Sequence, residues 1–69
     1  MAASVARVTE ISASSDVSFE DAVKAGIERA NKTLRGVTGA WIKEQKLDIK
    51  DGTIVNHRVN MLITFIVDD

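Results

Sequence analysis

Hydrophobic and polar positions along the chain change period twice. Over residues 4–11, SVARVTEI, they alternate: Val5, Arg7, Thr9 and Ile11 fall on one side and Ala6, Val8 and Glu10 on the other, which predicts a strand. SASSDVS follows and reads as a polar turn. From Ser18 the spacing lengthens to threes and fours, through Phe19, Ala22, Val23, Gly26, Ile27, Ala30 and Leu34. That is one face of a helix. Ser18 is placed as its N-cap, with Asp21 three residues on as a weaker form of the capping box. Glu20 and Asp21 in the first turn, and Lys32 and Arg35 in the last, suit the helix dipole, and Gly36 is the expected C-terminal cap. The isolated Gly26 reads as a point of close helix packing.

Beyond the helix the period returns to two. Residues 40–50, AWIKEQKLDIK, predict a second strand, and 53–67, TIVNHRVNMLITFIV, a long third one. Asp51-Gly52 between them is a two-residue hairpin signal. That turn sets Trp41 across from Leu62, Lys43 from Asn60 and Gln45 from Arg58, on a face shared with Leu47, Ile49, Ile54, Asn56 and Ile66. The same alternation sends Glu44, Lys46 and Asp48 to the opposite face. There Val55, His57, Val59, Met61, Ile63, Phe65 and Val67 make a nearly unbroken apolar row, which is where the helix should lie. The expected fold is α+β, in the order β-α-β-β, with a three-stranded antiparallel sheet wrapped on one helix.

Composition narrows what such a sheet can do. A chain of 69 residues is expected to be one domain, and one this small buries a low fraction of its surface. Small domains gain stability from disulfides, metals or association. The chain has no cysteine and one histidine, so association remains. The face without the helix holds Trp41 and several branched aliphatics, and apolar surface of that extent marks an interface or a ligand site. Nine basic residues against ten acidic ones argue against a nucleic-acid partner. No apolar run approaches the ~20 residues of a membrane helix, and no signal-peptide pattern opens the chain, so a cytoplasmic protein is expected. No carboxylate pair, nucleophile elbow or phosphate loop suggests an enzyme. His57, in the apolar row, reads as a packed histidine, and Asp68 and Asp69 as a solvated end or a carboxylate cluster for a hard cation.

Four stretches, VTEISASS, FEDAVKAGIERANKTLR, IKEQ and VNMLITFIVDD, together with the length and element order, resemble the dodecins, small flavin-binding proteins. The resemblance implies a hollow homo-dodecamer with sheets inside and helices outside. It implies paired flavins at subunit junctions, each stacked on a tryptophan of the second strand, with a glutamine of the third strand at the ring's polar edge. Storage or buffering of riboflavin, FMN or lumichrome, without turnover, is the role that follows. Aligned without gaps, the family tryptophan falls on Gly39 and the family glutamine on Arg58. Trp41 lies two residues on, on the same sheet face and roughly 7 Å along the strand. Arginine donates hydrogen bonds but does not accept them. The residues expected at a flavin are therefore Trp41, Arg58, Gln45 and Asp48. For Trp41 the competing reading is a space-filler between subunits, and for Arg58 an ion pair between subunits with Glu44, Asp48 or Glu10. A dodecameric cage holding another small ligand or ions in place of flavin is the alternative at the level of the whole protein.

Overall fold

The computed structural model describes residues 3–67. Four elements follow one another: β1 (Ala6–Ser15), α1 (Phe19–Thr33), β2 (Val37–Lys50) and β3 (Thr53–Ile66). The strands form one antiparallel sheet in the order β1-β3-β2, so β3 is central and both its neighbours are edges. The expected β-α-β-β fold is the one observed. Asp68 and Asp69, read above as a chain end or cation ligands, lie outside the described residues.

Each element begins and ends on identifiable chemistry. Ser18 Oγ accepts the Asp21 N–H at 3.0 Å and caps α1. Ser15 Oγ ties the same corner, donating to Asp21 at 2.7 Å and accepting the Val17 N–H at 2.9 Å. The helix closes on Leu34, whose N–H bonds the Ala30 carbonyl. Gly36 is thus not the cap, and Arg35 lies outside the helix. Gly36 takes φ +68° one turn of chain later, and its carbonyl accepts the Ile66 N–H at 3.0 Å, starting the β2–β3 ladder. Asp51 and Gly52 both have positive φ, as a two-residue hairpin requires.

β1 runs four residues further than expected. Ser12 to Ser15, read as turn, pair with Asn60 to His57. Their alternation continues: Ala13 and Ser15 are half-buried while Ser12 and Ser14 are exposed. Serines mimic a turn by composition, but an open edge of β3 was there to be paired.

The core lies between α1 and the middle of β3. Val59, Met61 and Ile63 are fully buried together with Ala22, and Ala30 nearly so. Each of the three large side chains contributes about 1.5–3 kcal/mol by leaving water. Gly26 lets the helix come down onto them, since a Cβ there would stand 2.3 Å from Met61 Cε and 3.1 Å from Ala13 Cβ. The helix covers less than half of the sheet's length. Fourteen residues of strand extend roughly 46 Å, fifteen of helix about 22 Å. Val55 and Val67, at the two ends of the predicted apolar row, are accordingly exposed.

The hairpin register departs from a straight ladder. Trp41 faces Leu62 as expected, but Glu44, not Lys43, faces Asn60, then Gln45 faces Val59 and Lys46 faces Arg58. An extra residue at Lys43 bulges β2, and one at Val55 on β3 restores the original register, so that Ile49 meets Ile54. A one-residue slip moves every following side chain to the other face. Glu44, Lys46 and Asp48 therefore lie on Trp41's face, contrary to strict alternation. Gln45 and Leu47 pair with the helix-side row at Val59 and His57.

Candidate functional site

The helix-free face is built from the even-numbered residues of β3 from Asn56 to Ile66 and whatever β1 and β2 set beside them. At one end Trp41 stands across from Leu62 and remains 58% exposed in the single chain. Two residues earlier, Gly39 stands across from Thr64, and a Cβ there would meet nothing within 4 Å. The indole thus borders open space on that side.

From Trp41 toward the turn the face becomes polar and internally bonded. Lys43 reaches across β3 to Glu10 on β1, at 3.1 Å. Asn60 Nδ2 donates to Glu44 at 2.9 Å. Arg58 Nη2 donates to Asp48 Oδ2 at 2.9 Å, Asn56 Nδ2 reaches the same oxygen at 3.4 Å, and Lys46 Nζ lies 3.8 Å from Oδ1. The Arg58 hydrogen bond, with its charge and the added pull of Asn56 and Lys46, holds the half-buried Asp48 carboxyl below its ordinary range, against a smaller opposing effect of desolvation. A shallow hollow of about 280 Å³ opens between Glu44, Gln45, Lys46, Arg58 and Asn60.

Of the four residues expected at a ligand, three share this face: Trp41, Arg58 and Asp48. Gln45 does not stand across from Arg58; the bulge sets it opposite Val59, at the rim of the hollow. Arg58 has its ion pair within the chain, with Asp48, where a partner from another subunit was the alternative. Strict alternation missed Glu44, Lys46 and Asp48. The signal was present in the pattern itself: past Lys43 it sent three charges toward the helix side and Leu47 and Ile49 away from it, an inversion that one bulge removes. His57 is packed, its ring edge-on to Phe19 at 5.2 Å and its Nδ1 3.1 Å from the Ser15 carbonyl.

A larger groove of about 530 Å³ runs on the other side, between α1 and β1. Its walls are small residues and strand edge, with Arg29 the one ionisable side chain. Among the described residues no group of three or more His, Cys, Asp or Glu is placed to hold a metal ion, and no helix is long and apolar enough to cross a membrane.

The family model for Dodecin matches residues 5–68. The chain belongs to the dodecin family. Dodecin from Streptomyces coelicolor superposes with a TM-score of 0.93 at 26% identity, covering 100% of this chain and 99% of that one. Dodecin from Streptomyces davaonensis gives 0.92 at 29% identity, covering 99% and 100%. The calcium-chelating immunodominant antigen calcium dodecin, from Mycobacterium tuberculosis, shares the fold at 0.81 and 23% identity, covering 94% and 93%. A search of curated proteins gives no match. The exposed Trp41 face is therefore the open sheet face of a dodecin subunit.

Proposed function

We propose that this dodecin assembles into a closed homo-oligomer of twelve subunits and stores or buffers a flavin where helix-free faces meet. The observation that carries the reading is Trp41: the only tryptophan, largely exposed, on a sheet face that no element of its own chain covers. Flavin binding is the property of the family. A stacked indole suits a flat heteroaromatic ring, which aromatic side chains hold in offset contact. Arg58 and Asp48 supply the polar edge together. Arg58 keeps N–H groups beyond the one given to Asp48, and these suit ring carbonyls. Asp48, kept ionised, offers the acceptor that arginine lacks for a ring N–H. Gln45 borders the hollow and is the outermost contact. With glycine in place of the family's tryptophan, the ring's seat moves roughly 7 Å along β2, to Trp41. Storage fits these parts better than turnover, since they bind and orient and no nucleophile or acid–base pair stands among them.

Titration of riboflavin with the purified protein tests the reading. Saturable quenching of flavin fluorescence is expected, and Trp41→Ala should weaken it about ten- to hundredfold, the worth of one stacked heteroaromatic ring, with the assembly unchanged by light scattering. No quenching with the wild-type chain would overturn it in favour of the same cage without flavin. If Trp41→Ala instead loosens the assembly and leaves the affinity in place, Trp41 is interface packing.

A further inference from the structure

Resting on the assembly reading, we infer that the outer edge of β1 is a strand-pairing edge, closed by β1 of a second copy, antiparallel about a two-fold axis. β1 is an edge strand, and its ladder with β3 is unbroken from Ala6 to Ser15. The Val67 N–H bonds the Val5 carbonyl at 3.1 Å, in the same register. Successive residues of a strand turn their N–H and C=O groups to opposite sides. The odd-numbered residues therefore face β3, and Val8, Glu10, Ser12 and Ser14 turn their backbone groups outward.

Folded chains guard such an edge with proline, lysine, bulges or a covering element. Residues 8–14 contain no proline or lysine and no bulge. Their one charge, Glu10, is drawn away across the sheet to Lys43, at 3.1 Å. The helix leaves the edge open, since a groove of about 530 Å³ runs between them, lined by Ser12 and Ser14 on the strand and by Ala25, Gly26 and Ala30 on α1. β2 is the guarded edge: register shifts interrupt its ladder, and it carries Lys43, Lys46 and Lys50. That contrast selects the occupant. An interrupted β2 matches an unbroken strand poorly, and joining β1 to β2 extends from copy to copy unless a ring closes. Pairing like with like uses up both edges in one step and stops. The register centred on Ile11 sets Glu10 opposite Ser12 and Val8 opposite Ser14, for about eight hydrogen bonds, two from each directly opposed pair. Ile11 then faces Ile11 of the partner subunit, beside a groove whose walls are small. The register centred on Glu10 opposes like charges and is unfavourable.

Residue-resolved amide hydrogen exchange of the assembled protein tests the pairing. The N–H groups of Val8, Glu10, Ser12 and Ser14 should exchange at least about a hundredfold more slowly than open-edge amides, as those of Thr9, Ile11 and Ala13 do. The chain has no cysteine, so introduced cysteines report the register. Ile11→Cys should cross-link to its own copy under mild oxidation, because directly opposed residues of a non-hydrogen-bonded pair stand about 4.5 Å apart at Cα, within disulfide reach. Thr9→Cys, about 13 Å from its counterpart along the strand, should not. Co-refolded Glu10→Cys and Ser12→Cys chains, altered at exposed positions, should cross-link as a pair and check the same register if Ile11→Cys does not fold. A large oligomer whose alternate β1 amides exchange freely overturns the pairing and leaves the assembly standing. Protected amides without cross-linking in either design mean that another strand covers the edge, and also overturn it. A stable monomer by light scattering removes the assembly reading, and the inference falls with it.

Discussion

Asp48 shows how far a single residue can be read from sequence. Its type, and its candidacy as Arg58's partner, were legible; its place was not, because strict alternation set it on the helix side. In the fold it is the common acceptor of Arg58, Asn56 and Lys46. Its carboxyl is held below the usual range, chiefly by the Arg58 hydrogen bond. The sign of the linkage follows. A carboxyl whose folded pKa is depressed stabilises the fold above its unfolded value, near 3.9, and that stabilisation is lost as pH falls through the folded value. Carboxyl NMR titration should find Asp48 protonating below the ordinary aspartate range, and Arg58→Ala should move it back up toward the ordinary value. A midpoint indifferent to Arg58→Ala would show that the ion pair does not form in solution. Trp41 is the opposite case. Its face and its partner Leu62 both followed from the Asp51-Gly52 turn, because the ladder regains its starting register before reaching Trp41.

At the level of elements, the helix and hairpin were plain in the pattern because each has a strong period and a clear stop. What escaped was β1's length, masked by serines that look like a turn, β2's start at Val37 rather than at residue 40, and the three register shifts of the β2–β3 ladder, which change one residue's pairing without a distinctive residue type. Gly26 is where two elements depend on one missing atom. Gly26→Ala gains roughly 1 kcal/mol of helix propensity, but its Cβ must displace the Met61 methyl in a fully buried position. Overpacking of that size costs about 1–3 kcal/mol. The net change should be small, between neutral and about 2 kcal/mol destabilising. Gly26→Val adds branching at the same contact and should lower the melting temperature clearly further. Thermal unfolding of both variants at one fixed concentration checks the order; a valine variant as stable as wild type would mean that the helix does not approach the sheet this closely.

At the scale of the whole chain, the apolar side chains left outside outnumber those within. Val5, Trp41, Ile42, Leu47, Ile49, Ile54 and Val55 are among the exposed, Val5 at 69% and Ile49 at 64%, against five buried core residues. The molecule measures 56 × 20 × 14 Å, long and thin for its length, with its hairpin end beyond the reach of the helix. Such a subunit should exist in solution as a large oligomer, and light scattering should return a mass several times 7.5 kDa. Its melting temperature should rise with protein concentration, because folding and association are coupled. A stable monomer at micromolar concentration would contradict this. The overhanging hairpin also sets a clock. A newly made chain folds at a rate independent of its neighbours, but it sheds its oily arm only by collision, at a rate that grows with the number of copies present. Dilute chains would spend longest with that arm bare, open to trapping by any other exposed strand. Abundance, as much as sequence, would then decide how many subunits reach the assembled state.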